Sequence, residues 1–308
     1  MTTTVERPVA SAPAPRPRRT PGVGVGAGAL NLLNGTFLLV WGLLTTLPLL
    51  WAMVSSFKTN REFLTDPWAL PDVARFENFS RAWTVANIGQ YFVNSIIVVA
   101  ISVPLTMLLG AMAAYVLSRY EFPGNRVIYF AFVGGLIFPV FLALVPLFFV
   151  VRNLGTVPVI GEFLGLNSFL SLALVYVAFS MPFTVFFLTA FFRTQPTSIA
   201  EAAIVDGCSH FGLFFRVMLP MAKPGLIIVG LFNVLGHWNQ YVLPVVLMNE
   251  PDRKVLAQGL AALAISQGYR GDWTALFAGL VIALLPVLIV YILFQKQVQA
   301  GLTAGVLK

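Results

Sequence analysis

Six stretches without a single Asp, Glu, Lys or Arg constrain this chain more than any other feature: residues 20–57, 82–118, 127–151, 163–192, 224–249 and 273–295. A helix crossing the hydrocarbon layer needs about 20 predominantly apolar residues, and each stretch is long enough. The expectation is an all-α membrane protein with six transmembrane helices, near 29–54, 91–117, 128–150, 169–192, 226–248 and 273–294. Only 10% of the residues are charged, against about 25% in soluble domains. A seventh charge-free piece, 255–269, is too short to span and reads as a surface or re-entrant helix between spans five and six.

Six spans put both termini on one side. With the N-terminus inside, 11 Lys and Arg residues face the cytoplasm and 8 face outward. The bias favours cytoplasmic termini. It also accounts for the net charge of +7 through loops at a membrane, without nucleic acid as a partner. Residues 1–28, rich in Pro, Ala and Gly, read as a disordered cytoplasmic tail, and 29–308 as the six-span domain. Arg18-Arg19 precedes an apolar run long enough to span, so an uncleaved first helix is expected in place of a twin-arginine signal. The glycines of 22–30 miss the GxGxxG spacing and follow no strand. A single cysteine, Cys208, leaves no internal disulfide and no multi-cysteine metal site. No metal or cofactor is expected.

Between spans four and five, the loop 194–224 contains EAAIVDGCSHFGLFFRVMLP, residues 201–220. Ser198 and Glu201 have capping-box spacing, which predicts a helix starting at Ser198. Gly207 stands where a helix end wants positive φ, and Ser209 can cap a second helix. There Phe211, Phe214, Phe215, Met218 and Leu219 form one apolar stripe, with Pro220 ending it. The result is two short helices on the cytoplasmic face. Glu201 either closes the capping box or meets another protein, and Asp206 is either a turn residue or a contact. Ala202 and Ala203 allow close approach.

The order Glu201-Ala202-Ala203, Asp206-Gly207, then Leu219-Pro220 resembles the EAA loop of ABC-importer permeases. Asn94-Ser95 opening span two, Ala113-Ala114-Tyr115 and Arg119 closing it, Trp238-Asn239 in span five and the final Gly-Val-Leu-Lys extend the resemblance to the sugar-importer branch, similar to maltose-transporter permeases. The phrase AISQGYRGDW (264–273) resembles permeases associated with N-acetylglucosamine or chitobiose uptake in actinobacteria. The resemblance implies a non-catalytic permease subunit in a bacterial cytoplasmic membrane. Its partners would be a second permease subunit, a cytoplasmic ATPase dimer and an extracellular sugar-binding protein. The coupling residues would be Glu201, Ala202, Ala203, Asp206, Gly207 and Pro220. The chain has no GxxxxGK[ST] phosphate loop, so ATP would be hydrolysed on another chain.

In span five, Asn233, His237, Gln240 and Pro244 share one helix face, with His237 near the membrane midplane. Polar groups at that depth usually face the bundle interior. Asn233, His237 and Gln240, with Trp238, either line a translocation path or tie helices together. Gly110, Ala111 and Ala114 read as close-packing positions. The external loop 249–272 offers Gln258, Gln267, Tyr269 and Arg270 as candidate binding-protein contacts. A permease for a non-sugar solute is the alternative within the same superfamily. A stand-alone secondary transporter would want charged groups inside its spans, and none is present. A membrane enzyme would need a catalytic cluster that one Cys and two His do not supply.

Overall fold

The computed structural model describes residues 25–304, with side-chain surroundings for 30–266 and 271–297. Residues 1–24 of the expected tail and the closing Gly305–Lys308 lie outside the described residues. Among the described residues there is no strand.

The chain divides into residues 1–50 and 51–308. The described part of the first is helix, the beginning of α1 (Val25–Ser55). There the Thr45 hydroxyl folds back to donate to Trp41 O, and Phe37 stacks on Trp41.

The second unit continues with α2 (Asn60–Thr65), α3 (Glu77–Thr84), α4 (Ile88–Arg119), α5 (Asn125–Ile137), α6 (Val140–Leu154), α7 (Gly161–Leu164) and α8 (Phe169–Arg193). Then come α9 (Thr197–Val205), α10 (His210–Gly212), a π turn (Leu213–Met218), α11 (Leu219–Met221) and α12 (Lys223–Trp238). The last elements are α13 (Val242–Leu247), a 3₁₀ turn (Pro251–Arg253), α14 (Leu256–Arg270) and α15 (Trp273–Ala304). By length and composition four helices can cross a membrane alone, within α1, α4, α8 and α15, and bent pairs bring the number to as many as six.

Two expected spans are broken. Span three bends by 103° between α5 and α6. Pro139 disfavours a helical residue before it, and Phe138 is extended, with ψ of 120°. Span five stops at Trp238 and resumes at Val242. Continuing it as one helix would set the Pro244 ring against the carbonyl of Gln240 and leave that carbonyl without its donor.

The core of the second unit is the seam between α4 and α8. A Cβ on Gly110 would collide with Thr184 Cγ2, so only glycine lets the two helices come this close. Ala111 and Ala114, on the same helix, are buried in the cluster that also holds Leu188 and Phe192. At the end of the seam bearing the α4 N-terminus, polar side chains fasten the loops. Asn94 Nδ2 donates to Asp252 O (2.9 Å) and Lys254 O (2.8 Å), and Ser95 Oγ accepts from Leu256 N. These bonds place α14, the short helix expected over 255–269, against α4. Asn78 Nδ2 donates to Ser56 O and Lys58 O, and Lys58 is itself buried, donating to Pro67 O (2.8 Å). In the capping box of α2, the Thr59 N–H donates to Glu62 Oε2 and lowers the pKa of that carboxyl.

Replacing Gly110 with Val should overpack the seam and cost about 1–3 kcal/mol. Gly134→Ala, where an added Cβ meets nothing within 4 Å, should leave the protein unchanged. Thermal unfolding of the two purified variants against wild type decides this. A Gly110→Val protein as stable as wild type would show that the helices can separate at no cost.

Candidate functional site: a helix-turn-helix and a polar bridge

The segment 197–221 forms two short helices, but its details differ from the sequence expectation. Helix α9 starts at Thr197 with Pro196 at its N-cap and no side-chain cap. Ser198 and Glu201 therefore make no capping box, and Glu201 is exposed. The turn after α9 has the bonds of a Schellman motif. Gly207, at φ 81°, donates its N–H to Ile204 O, and the Cys208 N–H donates to Ala203 O. That φ is why the turn needs glycine. Ser209 caps the next helix, accepting from Gly212 N.

The expected apolar stripe is displaced. Phe214 and Met218 are buried, joined by Leu213, while Phe211 is 74% exposed and Phe215 is also exposed. The π turn over 213–218 widens the helix, so a 3.6-residue period no longer predicts which side chains share a face. Pro220 does not end the helix. It sits inside α11, and the chain turns by 78° after Met221.

This loop is rooted in the bundle. Phe214 packs at 5.1 Å on Tyr115, which packs edge-on against Phe192. Arg119 Nη2 donates to Gln195 O (2.7 Å), and Gln195 Nε2 donates to Met218 O. Glu201, Ala202, Asp206 and Gly207 remain exposed, and Ala203 is half-buried. The loop thus offers an outer surface on α9 and a buried root under α10 and the π turn.

The second feature lies along α12. His237, only 6% exposed, has both ring nitrogens within 2.7 Å of serine hydroxyls: Nδ1 to Ser102 Oγ and Nε2 to Ser180 Oγ. In a neutral imidazole one nitrogen donates and the other accepts, and serine serves either role. One side chain therefore joins α4, α8 and α12. One helical turn away, Asn233 Nδ2 donates to Thr184 Oγ1 (3.0 Å). Buried hydrogen bonds between helices satisfy groups that lipid could not.

A cavity of about 290 Å³ opens beside this bridge. Ser180, Asn233, His237 and Gln240 line it among the rings of Tyr176, Phe179, Phe183 and Phe232. The Tyr176 hydroxyl is buried without a hydrogen-bond partner among the described residues, and its ring centroid lies 5.1 Å from that of His237. Such a lining of aromatic faces with a few polar groups suits a small polar-and-apolar ligand.

Three of the four span-five residues expected on a path, Asn233, His237 and Gln240, come together at this cavity. Trp238 turns elsewhere: its Nε1 donates to Ala283 O, and Phe92 packs edge-on against it. Pro244 is buried beyond the break in α13. In the segment 249–272, Gln258 is buried, and its Nε2 donates to Met248 O (2.7 Å), so it braces the segment from within. The side chains of Gln267, Tyr269 and Arg270 lie outside the described residues. Sequence reasoning missed Ser102, Tyr176, Ser180 and Thr184. A signal was present, since Ser102 with Thr106 and Ser180 with Thr184 are polar pairs at i, i+4 inside charge-free spans.

Removing one hydroxyl from the bridge, by Ser102→Ala or Ser180→Ala, should cost about 1 kcal/mol. His237→Ala should cost more, because it leaves both hydroxyls unpaired. The two serine changes share a partner and should not add. A double-mutant cycle in denaturant reads the coupling, and strict additivity would mean that the histidine does not link the two helices.

A family model described as "Binding-protein-dependent transport system inner membrane component" matches residues 106–303. The diacetylchitobiose uptake system permease protein NgcG of Streptomyces coelicolor is 50% identical over 273 residues, covering 89% of this chain and 87% of that protein. The probable ABC transporter permease protein YurM of Bacillus subtilis is 33% identical over 88% of this chain and 87% of its own length. AraQ of Halalkalibacterium halodurans, an arabinooligosaccharides transport system permease protein, is 30% identical over 85% and 90%. In fold, the chain is similar to one from the crystal structure of a bacterial ABC transporter involved in the import of the acidic polysaccharide alginate. The TM-score is 0.73 at 21% identity, covering 90% of this chain and 99% of that one. With its helical spans and a family match over more than half its length, the chain belongs to the inner membrane components of binding-protein-dependent transport systems.

Proposed function

We propose that this chain is the permease subunit of an ATP-driven sugar importer, and that the segment 197–221 receives force from a cytoplasmic ATPase. The observation that carries this reading is the two-sided build of the loop. Its outer residues Glu201, Ala202, Asp206 and Gly207 are exposed, while Phe214 and Met218 are buried in the cluster that holds Ala114 of α4 and Leu188 of α8. A push on α9 would pass through the Schellman turn and the Phe214 ring into the spans. The chain has no phosphate-binding loop of its own, so ATP hydrolysis falls to separate subunits. A second permease subunit and an external binding protein complete the assembly.

The substrate reading is a sugar, with an N-acetylglucosamine or chitobiose-type molecule favoured. The relative at 50% identity is named for diacetylchitobiose uptake, and the cavity beside His237 combines aromatic faces with hydroxyl, amide and imidazole groups. Such groups suit sugar rings, whose faces are apolar and whose edges carry hydroxyls. In this reading Asn233, His237 and Gln240 border the path, while Trp238 holds α12 against α15. Gln267, Tyr269 and Arg270 are the candidates for contact with the binding protein.

With both termini in the cytoplasm, the segment 197–221 faces the ATPase. Cys208 is the chain's one thiol and is half-buried. An impermeant maleimide should leave it unlabelled in intact cells, label it in inverted vesicles, and label it more slowly with the ATPase bound. Labelling from outside would overturn the orientation, and equal labelling with and without ATPase would overturn the docking surface.

Glu201→Ala and Gly207→Pro should each reduce ATP-driven sugar uptake by the reconstituted assembly while the chain still inserts. Gly207→Pro should be the more severe, because proline cannot adopt the positive φ or donate the N–H that reaches Ile204 O. Wild-type uptake by either variant would refute the coupling role.

A further inference from the structure

A cavity of about 600 Å³ belongs neither to the polar bridge nor to the surface of α9. It lies where three helix ends meet: the C-terminus of α4, the N-terminus of α5 and the C-terminus of α8. Arg119, Arg126 and Arg193 line it, with Glu121 as the one acidic lining residue.

Among the described residues no carboxylate neutralises these arginines. Among the described residues the only ion pair is Arg81–Asp272, on other elements, so Glu121 bridges none of the three. Arg119 uses Nη2 to hold Gln195 O, but its Nε is buried without a partner among the described residues. Arg193 lies over the Tyr129 ring at 5.2 Å, a contact that holds the guanidinium in place without consuming its N–H donors. Arg126 is exposed and makes no hydrogen bond or ion pair among the described residues. Three positive charges around one cavity repel each other unless an anion joins them, and a buried donor left unmade is costly. The N-terminus of α5 adds a partial positive charge, set against the partial negative C-termini of α4 and α8 beside Arg119 and Arg193, which leaves Arg126 as the guanidinium with no such compensation.

Depth narrows the ligand. Arg119 and Arg193 stand in the last turns of two apolar spans, and Arg126 in the first turn of a third apolar helix. The cavity is therefore level with the lipid headgroups, where basic pockets between membrane helices take anionic headgroups. Guanidinium groups match phosphate oxygens with paired N–H donors.

We infer that the cavity bounded by Arg119, Arg126 and Arg193 is a binding site for a phosphate oxyanion at the membrane surface, presented by an anionic phospholipid or as free phosphate. It is independent of the sugar path, and its occupant would brace α5 against the ends of α4 and α8, next to the turn that leads into α9.

Native mass spectrometry of the full-length chain tests this, with phosphatidylglycerol, phosphatidylcholine and inorganic phosphate as probes. Wild type should retain phosphatidylglycerol over phosphatidylcholine. Arg126→Gln and Arg193→Gln should each lower that retention about five-fold, the effect of one surface arginine on an anionic lipid. Arg126 is exposed and unpartnered, so its variant tests the site without endangering the fold. Arg253→Gln, on the Phe169 ring elsewhere in the molecule, should change nothing. Retention that survives millimolar phosphate assigns the site to lipid. Displacement by phosphate, with a phosphate adduct in its place, assigns it to the free anion. Equal retention of the two lipids, or glutamine variants indistinguishable from wild type, overturns the site.

Discussion

The close approach of α4 and α8 at Gly110 and Thr184 sets the geometry of everything around it. Lipid chains are as apolar as leucine, so membrane helices gain little from apolar contact alone and associate through close packing and hydrogen bonds. Here the two act together. Because Gly110 brings the backbones near, Ser102 and Ser180 stand close enough for one imidazole to reach both. Thr184, the residue pressed against Gly110, also accepts from Asn233. The third helix of the bundle is thus held by the residues that line the first two.

The same seam connects two regions of different chemistry. Beside the α12 bridge it borders a cavity of mixed aromatic and polar lining. At its Arg119 end it closes on Tyr115 and Phe192, which receive Phe214 from the π turn. Aromatic packing and the Arg119–Gln195–Met218 hydrogen bonds make the root of the loop continuous with the spans, whereas the outer face of α9 has no such anchor. Under the coupling role proposed for this loop, the rooted side would transmit a push and the exposed side would receive it.

The spans were legible because their signal is compositional: long runs without charge have one common outcome, whichever helices later meet. The glycine of the turn was legible because positive φ is a local demand, and Gly207 meets it. The capping role expected of Ser198 and Glu201 failed because the N-cap is Pro196, two residues earlier than the box requires. The stripe over 211–219 failed because a π turn changed the period on which the stripe was counted. Gln258, chosen as an exposed contact, proved to be an internal brace, since periodicity in a short helix does not say which face meets the bundle.

The sequence by itself determined a helical membrane chain with charge-free segments long enough to span, a polar loop between the fourth and fifth of them, and polar residues inside the fifth. Those follow from the cost of charge in hydrocarbon and from local backbone demands, both readable residue by residue. Only the tertiary structure decided that His237 is shared between two serines, that Trp238 faces α15 and not the cavity, and that three arginines from three helix ends surround one space. These are relations between separate helices, and they depend on helix rotation and approach, which no single segment encodes.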